Sequence, residues 1–279
     1  MCDIKTNFVT HDLVHNLRCN RRGPRIRHDM KKTRTWPGAR FMCVCKNGDL
    51  NTAAYCLAEL MHEPFQPFPM ATVAVHHSIR DEFIAMLRSR FRQLKPHVAN
   101  HPNFVRAVEE LKHGLRPVKY VLADVADAPA CASPILITDA VTHLFFPSGP
   151  SGCTTLHSFH TMQHVAQIFT EETPNFDAVY YFDEGITGVY TLAKLIKCVQ
   201  FFVNCMDACL LEIMPFYMEH KPMVLFKRGY HYETLELDHQ WKIIVFPYSS
   251  SILRQCCCPT GHCRCYATHS ACCEDHLHT

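Results

Sequence analysis

Hydrophobic positions from residue 36 to about residue 248 alternate between two spacings, one typical of strands and one typical of amphipathic helices. Short apolar runs predict strands over 41–45, 72–75, 118–122, 135–138, 154–159, 178–182, 199–203 and 243–246. Apolar residues three and four positions apart predict helices over 49–62, 79–94, 102–113, 160–171, 187–197 and 207–220. This alternation predicts an α/β fold with three layers, a mostly parallel sheet with helices on both faces.

Particular side chains are expected to define the ends and the core of these elements. Asn47 or Asp49 is a candidate cap for the first helix, and Ser78 is expected to open the second. His76 and His77, at the end of a strand, are expected to be capping or surface groups. The strands predict six buried side chains: Met42, Val44, Val73, Val75, Phe201 and Val203.

Composition divides the chain of 279 residues into three zones. Residues 1–35 are basic and are expected to form a disordered leader, although mitochondrial import and contact with a nucleic acid or an anionic surface are alternatives. Residues 36–248 carry the periodic pattern of the α/β domain. Residues 249–279 form a tail rich in cysteine and histidine, without hydrophobic periodicity.

Charge and hydropathy narrow the possible partners and compartments. The 28 lysines and arginines nearly balance 26 acidic residues, and this gives no global argument for a nucleic-acid partner. No run of 18 apolar residues predicts a membrane span, and the first residues lack the apolar core of a secretory signal. We therefore expect a cytoplasmic protein whose 17 cysteines are reduced, with Cys43, Cys56 and Cys198 as buried apolar side chains.

Two sequence blocks resemble the catalytic domain of the aldehyde dehydrogenase superfamily. The first contains N-G-D-L-N-T-A-A-Y, followed by V-A-V-H-H-S-I-R-D-E-F after a loop with three prolines. The second contains G-P-S-G-C-T-T-L-H and then A-V-Y-Y-F-D-E-G. The resemblance covers roughly residues 36–205, and a closer resemblance is to an insect-restricted family of uncharacterised proteins similar to a detached catalytic half of these enzymes.

The resemblance implies that the residues needed for aldehyde oxidation are missing. It places the nucleophilic cysteine at Pro67, the ribose-binding glutamate at Phe146 and the general-base glutamate near Thr35. Proline has no thiol and no N–H, so it can neither attack a carbonyl nor donate to an oxyanion. The chain also lacks a Gly-x-Gly-x-x-Gly motif, and it is too short for both domains of a complete enzyme.

The favoured interpretation is therefore a catalytically inactive protein without a cofactor, acting as an interaction or scaffold module for an unknown protein partner. One alternative is a residual oxidoreductase or thiol enzyme that uses Cys153 or Cys205, since histidines lie near Cys153 in sequence. Cys153 follows a Gly-Pro-Ser-Gly turn and is expected to be exposed. The segment 229–233 is expected to form a turn and lid over the sheet edge.

The tail suggests a second alternative, metal binding. Thiolates and imidazoles at this density can surround a soft cation such as Zn²⁺ or Cu⁺, and zinc is the expected ion. Oxidative cross-linking of the cysteines and an unselected low-complexity tail are the alternatives. The candidate ligands are Cys256, Cys257, Cys258, Cys263, Cys265, Cys272, Cys273, His262 and His269.

Overall fold

A computed structural model describes residues 38–113, 118–123, 132–138, 150–172, 175–206 and 208–248. Its strands are β1 (Ala39–Val44), β2 (Met70–His76), β3 (Lys119–Val121), β4 (Ile135–Thr138), β5 (Cys153–Phe159), β6 (Phe176–Phe182), β7 (Gln200–Val203), β8 (Met223–Lys227), β9 (Tyr230–Leu237) and β10 (Gln240–Pro247). Its helices are α1 (Leu50–His62), α2 (Arg80–Arg88), α3 (Pro96–Ala99), α4 (Pro102–His113), α5 (Met162–Glu171), α6 (Thr187–Leu195) and α7 (Met214–Met218). A 3₁₀ turn, His77–Ile79, joins β2 to α2.

All ten described strands belong to one sheet, in the order β3-β4-β5-β2-β1-β6-β7-β10-β9-β8. Six of the nine neighbouring pairs are parallel, from β4 through β10. The three antiparallel pairs lie at the two ends, where β3 joins β4 and the hairpins of β8, β9 and β10 follow one another. The predicted mostly parallel sheet is therefore confirmed, with antiparallel extensions.

Helices cover both faces of the sheet and make the predicted three layers. On one face, α1 and α2 pack against β1 and β2, and the contact includes Leu57 and Phe83. On the other face, α5 and α6 pack against β1, β6 and β7, and the contact includes Val165 and Leu192. All six side chains predicted to be buried have an exposed fraction of 0%: Met42, Val44, Val73, Val75, Phe201 and Val203. Cys43, Cys56 and Cys198 are also buried, as expected.

Side chains cap the first helix and the 3₁₀ turn that precedes the second helix. Asp49, rather than Asn47, caps α1, because its Oδ1 accepts from the Thr52 backbone N–H over 3.1 Å. The expectation that Ser78 opens the second helix is wrong. Ser78 lies in the 3₁₀ turn, where its N–H and hydroxyl approach His76 Nδ1 at 3.3 Å and 2.8 Å. His76 is thus the capping group, as the sequence indicated.

The region after β7 differs most from the prediction. Helix α7 occupies only five residues of the predicted helix 207–220, because Pro215 has no N–H to donate and sits at the helix start. Residues 229–233 are not a lid; Tyr230 to Glu233 belong to β9, inside the sheet between β8 and β10. Within the described residues, no helix is long and apolar enough to cross a membrane.

Candidate functional site

The loop between α1 and β2 contains Pro67, the position that the resemblance assigns to the nucleophile. Pro67 is exposed, while the next residue, Phe68, has a left-handed backbone with φ of 70°. The Phe68 ring lies against Gly38, where an added Cβ would be 2.8 Å from Cδ1 of Phe68. The Arg40 guanidinium lies 4.8 Å from the centre of this ring and 5.0 Å from that of Tyr180. Phe68, the residue after Pro67, therefore packs against both Gly38 and the Arg40 guanidinium.

Cys153, one of the two candidate replacement nucleophiles, is buried in this structure. Its side chain is 3% exposed and packs with Phe104 and Ile135, so the expectation that it is exposed is wrong. Burial raises the pKa of the Cys153 thiol to about 12, despite a hydrogen bond with Ser151. The thiolate is the reactive form of cysteine, so burial and the raised pKa both disfavour Cys153 as a nucleophile.

His157 is also not arranged to activate Cys153. Four residues along β5 separate the two Cα atoms by about 13 Å, which is beyond the reach of a hydrogen bond. His157 Nε2 instead lies 3.6 Å from Oε1 of Glu172, whose side chain is fully buried. The Thr155 hydroxyl donates to the same oxygen over 3.1 Å. Sequence reasoning did not find this contact, because Glu172 follows α5 and meets β5 only through the fold.

Cys205 is likewise a buried side chain. It is 8% exposed, and its thiol lies 3.7 Å from the carbonyl oxygen of Val245, to which it donates. Cys209, four residues later, is half-buried. Thr35, Phe146 and the nine candidate zinc ligands of the tail lie outside the described residues. Within the described part of the chain, no group of three or more His, Cys, Asp or Glu side chains could hold a metal ion.

Four histidines meet at the carboxyl ends of β2 and β5, and we call them the histidine cluster: His76, His77, His160 and His164. The parallel pairing places His76 opposite Phe159, so the residues that follow each strand emerge side by side. Ring centres are 4.4 Å apart for His76 and His77, 4.0 Å for His77 and His160, and 6.4 Å for His160 and His164. The sequence signal was a histidine directly after each of two strands, but their pairing could not be read from it.

The outer strand β8 carries an exposed apolar surface. Val224 is 53% exposed and Phe226 is 60% exposed, on alternate residues that share one side of the strand. Tyr248, 55% exposed, packs its ring against Phe226 with the centroids 5.6 Å apart. We call these three residues the β8 surface. Among the described strands, β8 pairs only with β9, so its outer backbone groups have no strand partner there.

Comparison with known proteins gives one family match. A family model described as "Protein of unknown function (DUF1487)" matches residues 35–252. No curated protein has a matching sequence.

Several solved structures are similar to part of the chain. A putative aldehyde dehydrogenase from Burkholderia cenocepacia is 15% identical with a TM-score of 0.47, over 60% of this chain and 39% of that one. Betaine aldehyde dehydrogenase from Staphylococcus aureus is 15% identical with a TM-score of 0.47, over 61% and 38%. A benzaldehyde dehydrogenase from Corynebacterium glutamicum is 16% identical with a TM-score of 0.46, over 64% and 42%. The matched part is about two fifths of these enzymes' length.

Proposed function

Because the chain belongs to the DUF1487 family, whose description gives no function, we propose a function from the residues of the chain itself. We infer that it is a catalytically inactive, aldehyde dehydrogenase-like protein that acts by binding another protein. The observation that carries the first half of this proposal is the proline at position 67. Aldehyde oxidation through a thiohemiacetal needs a thiolate at the reacting carbon, and proline cannot provide one.

An activity assay tests the first half. We expect no aldehyde-dependent reduction of either nicotinamide dinucleotide above the level of heat-denatured protein. Cys153→Ser and Cys205→Ser are the matched controls, because these two thiols are the alternative nucleophiles and both are buried. Turnover by the wild-type chain that either single substitution abolishes would contradict inactivity.

The β8 surface supports the second half of the proposal. An edge strand with free backbone groups can accept another strand, which contributes main-chain hydrogen bonds, while alternate side chains contribute selectivity. Val224 and Phe226 provide two such apolar contacts on one side of β8. We therefore assign partner binding to this edge, with an extended segment of the partner as the added strand.

The charges around β8 indicate the chemistry of that segment. Lys221 precedes the strand, and Lys227 and Arg228 end it, while Glu212 lies 2.7 Å from Lys227. Glu233 of β9 lies opposite Val224, but the two ends of β8 are cationic, so the partner segment should have apolar residues at alternate positions and carboxylates at its ends. Antiparallel pairing of β8 with a second copy, centred on Leu225, would bring Lys221 of each copy near Arg228 of the other. Repulsion between these two cationic side chains disfavours self-association through β8.

Partner binding can be tested by site-specific cross-linking. A photo-reactive amino acid at position 224 would identify the contacting protein in native extracts, and the purified partner would then be titrated with purified chain. Phe226→Lys should weaken binding by at least about tenfold, because it places a charge in the apolar contact. Leu195→Lys is the matched control, since Leu195 is 45% exposed on α6 and lies outside the β8 surface.

Two outcomes would contradict this assignment. Equal affinities of the wild-type and Phe226→Lys chains for the purified partner would place binding elsewhere on the protein. A concentration-dependent dimer in sedimentation equilibrium that Phe226→Lys dissociates would show that a second copy occupies the edge. Neither outcome depends on the activity assay, so the two halves of the proposal are tested separately.

A further inference from the structure

The histidine cluster lies where two helices begin. Helix α2, nine residues long, follows the 3₁₀ turn after β2 and has no side-chain cap. Helix α5, ten residues long, follows β5, and the Thr161 hydroxyl accepts from the His164 N–H over 3.2 Å. The amino end of a helix carries partial positive charge and N–H groups without intrahelical acceptors. The imidazoles therefore stand beside two helix ends of the same polarity.

The charged groups that act on His76 are also cationic. Burial lowers the pKa of His76, and the charges of His77, Lys46 and His160 lower it further. The acidic groups nearest in sequence are Asp81 and Glu82, both exposed in the first turn of α2, and Asp81 Oδ1 lies 3.4 Å from Arg80. Protonation of His76 is therefore opposed by burial and by neighbouring cationic charge, and a bound anion would offset that charge.

A metal ion fits this arrangement less well than an anion. No described group of three or more histidine, cysteine or acidic side chains has the geometry to hold a metal, and His76 Nδ1 already contacts the Ser78 hydroxyl at 2.8 Å. The ring nitrogens of His77, His160 and His164 make no hydrogen bond to the described residues. Protonated imidazoles donate from both nitrogens, so His77 and His160, with ring centres 4.0 Å apart, can both present donors to one multivalent acceptor.

We propose that the histidine cluster, with Lys46 and the amino ends of α2 and α5, binds a tetrahedral oxyanion of the phosphate class, either free phosphate or a small phosphate ester. Binding should strengthen as the pH falls, because each imidazole gains a charge and a second donor on protonation. The anion and the protons are linked, so the anion should also raise the pKa of the imidazoles that contact it.

Sulfate is the first probe, because its charge stays constant over the pH range in which histidine titrates. We expect the imidazole proton resonances of the cluster to shift saturably with sulfate near pH 6, at ionic strength held constant with chloride. Affinity should be about tenfold lower near pH 8, and about tenfold lower in the His77→Gln/His160→Gln variant. His113→Gln/His239→Gln removes two other exposed histidines and should bind as the wild type does.

Further arms of the experiment identify the natural source of the anion and exclude a metal. Inorganic phosphate and glycerol phosphate should compete with sulfate, whereas preference for vesicles containing a phosphatidylinositol phosphate would indicate a lipid headgroup. Equal sulfate affinity in the wild type and in both His77→Gln/His160→Gln and the single variant His160→Gln would overturn the proposal. Stoichiometric binding of zinc alone, lost in the double variant, would also overturn it and establish a metal site.

Discussion

Gly188 shows how a single residue is fixed by its packing. It lies in the first turn of α6, where an added Cβ would come within 2.0 Å of the Tyr181 hydroxyl oxygen. That hydroxyl donates to Asp183 Oδ2 over 3.2 Å, and burial raises the pKa of Tyr181, so it remains a donor at neutral pH. The glycine is therefore required by close approach to the tyrosine, and Gly185, with open space around it, is a matched comparison.

Gly188→Ala should lower the free energy of unfolding by about 1–3 kcal/mol, because the methyl group overlaps the Tyr181 hydroxyl. Gly185→Ala should change it by less than about 0.5 kcal/mol. Tyr181→Phe removes the overlapping oxygen, so the double variant Gly188→Ala/Tyr181→Phe should be more stable than the sum of the single effects by at least about 0.5 kcal/mol. Urea denaturation of the four variants measures this, and strict additivity would show that the contact does not limit position 188.

At the scale of elements, Lys242 joins β10 to the end of α6. Its side chain is fully buried, and Nζ donates to Ile196 O over 2.8 Å, Cys198 O over 2.7 Å and Gln240 Oε1 over 2.9 Å. The first two acceptors lie just after the last turn of α6, where carbonyl oxygens lack intrahelical partners. The Lys242 side chain thus supplies hydrogen-bond donors to two carbonyl oxygens in the segment between α6 and β7.

Lys242→Met should lower the free energy of unfolding by about 1–3 kcal/mol at neutral pH, because it leaves buried acceptors without a donor. Burial lowers the pKa of Lys242 to about 8 from an ordinary value of 10.5. Between these values the unfolded chain binds more protons than the folded one, so this lysine makes wild-type stability rise with pH. The difference between wild type and variant should therefore widen from neutral pH to about pH 9.5. Lys197 is exposed, so the stability difference between wild type and Lys197→Met should not increase with pH. An equal increase for Lys197→Met would show that the pH dependence does not come from burial of Lys242.

The parallel part of the sheet could be predicted from the sequence because most strands there contain a run of buried apolar residues; β5, with Thr154, Thr155 and His157, is the exception. β4, buried at all four positions, has the predicted limits, and α4 also matches its prediction. β8 and β9 could not be recognised in this way. The burial of β9 alternates irregularly, and its hairpin turns use Arg228-Gly229 and Asp238-His239 with positive φ, which are weaker turn signals than Asn-Gly.

The functional residues were less predictable than the strands, because they depend on contacts between distant segments. Pro67 could be assigned from the resemblance, but the burial of Cys153 depends on packing with α4, which is not visible in its local sequence. The histidine cluster needs the pairing of β2 with β5, whose residues Thr72 and Thr155 lie 83 positions apart yet contact through their hydroxyl oxygens at 3.1 Å.

At the scale of the whole molecule, the sheet connects strands from Ala39 to Pro247 into one hydrogen-bonded unit. Every described cysteine other than Cys209 is buried, and all of them are free thiols. Thiols in apolar surroundings are poor metal ligands, because binding requires their deprotonation. The remaining concentration of thiols and imidazoles is the segment 249–279. We therefore propose that this segment, rather than the sheet and its helices, carries zinc.

Deleting residues 249–279 should remove most of the zinc that co-purifies with the full chain and leave the urea midpoint of unfolding nearly unchanged. Lowering the pH from neutral to about 5 should release zinc from the full chain, because protons compete for thiolates and imidazoles. Cys209→Ser, at the one half-buried cysteine among the described residues, is the matched control and should retain zinc. Metal analysis decides between the regions. Equal zinc content before and after deletion would place the metal elsewhere in the chain. Loss of the cooperative unfolding transition would show that the segment 249–279 stabilises the fold, because a segment that only binds metal would leave that transition intact.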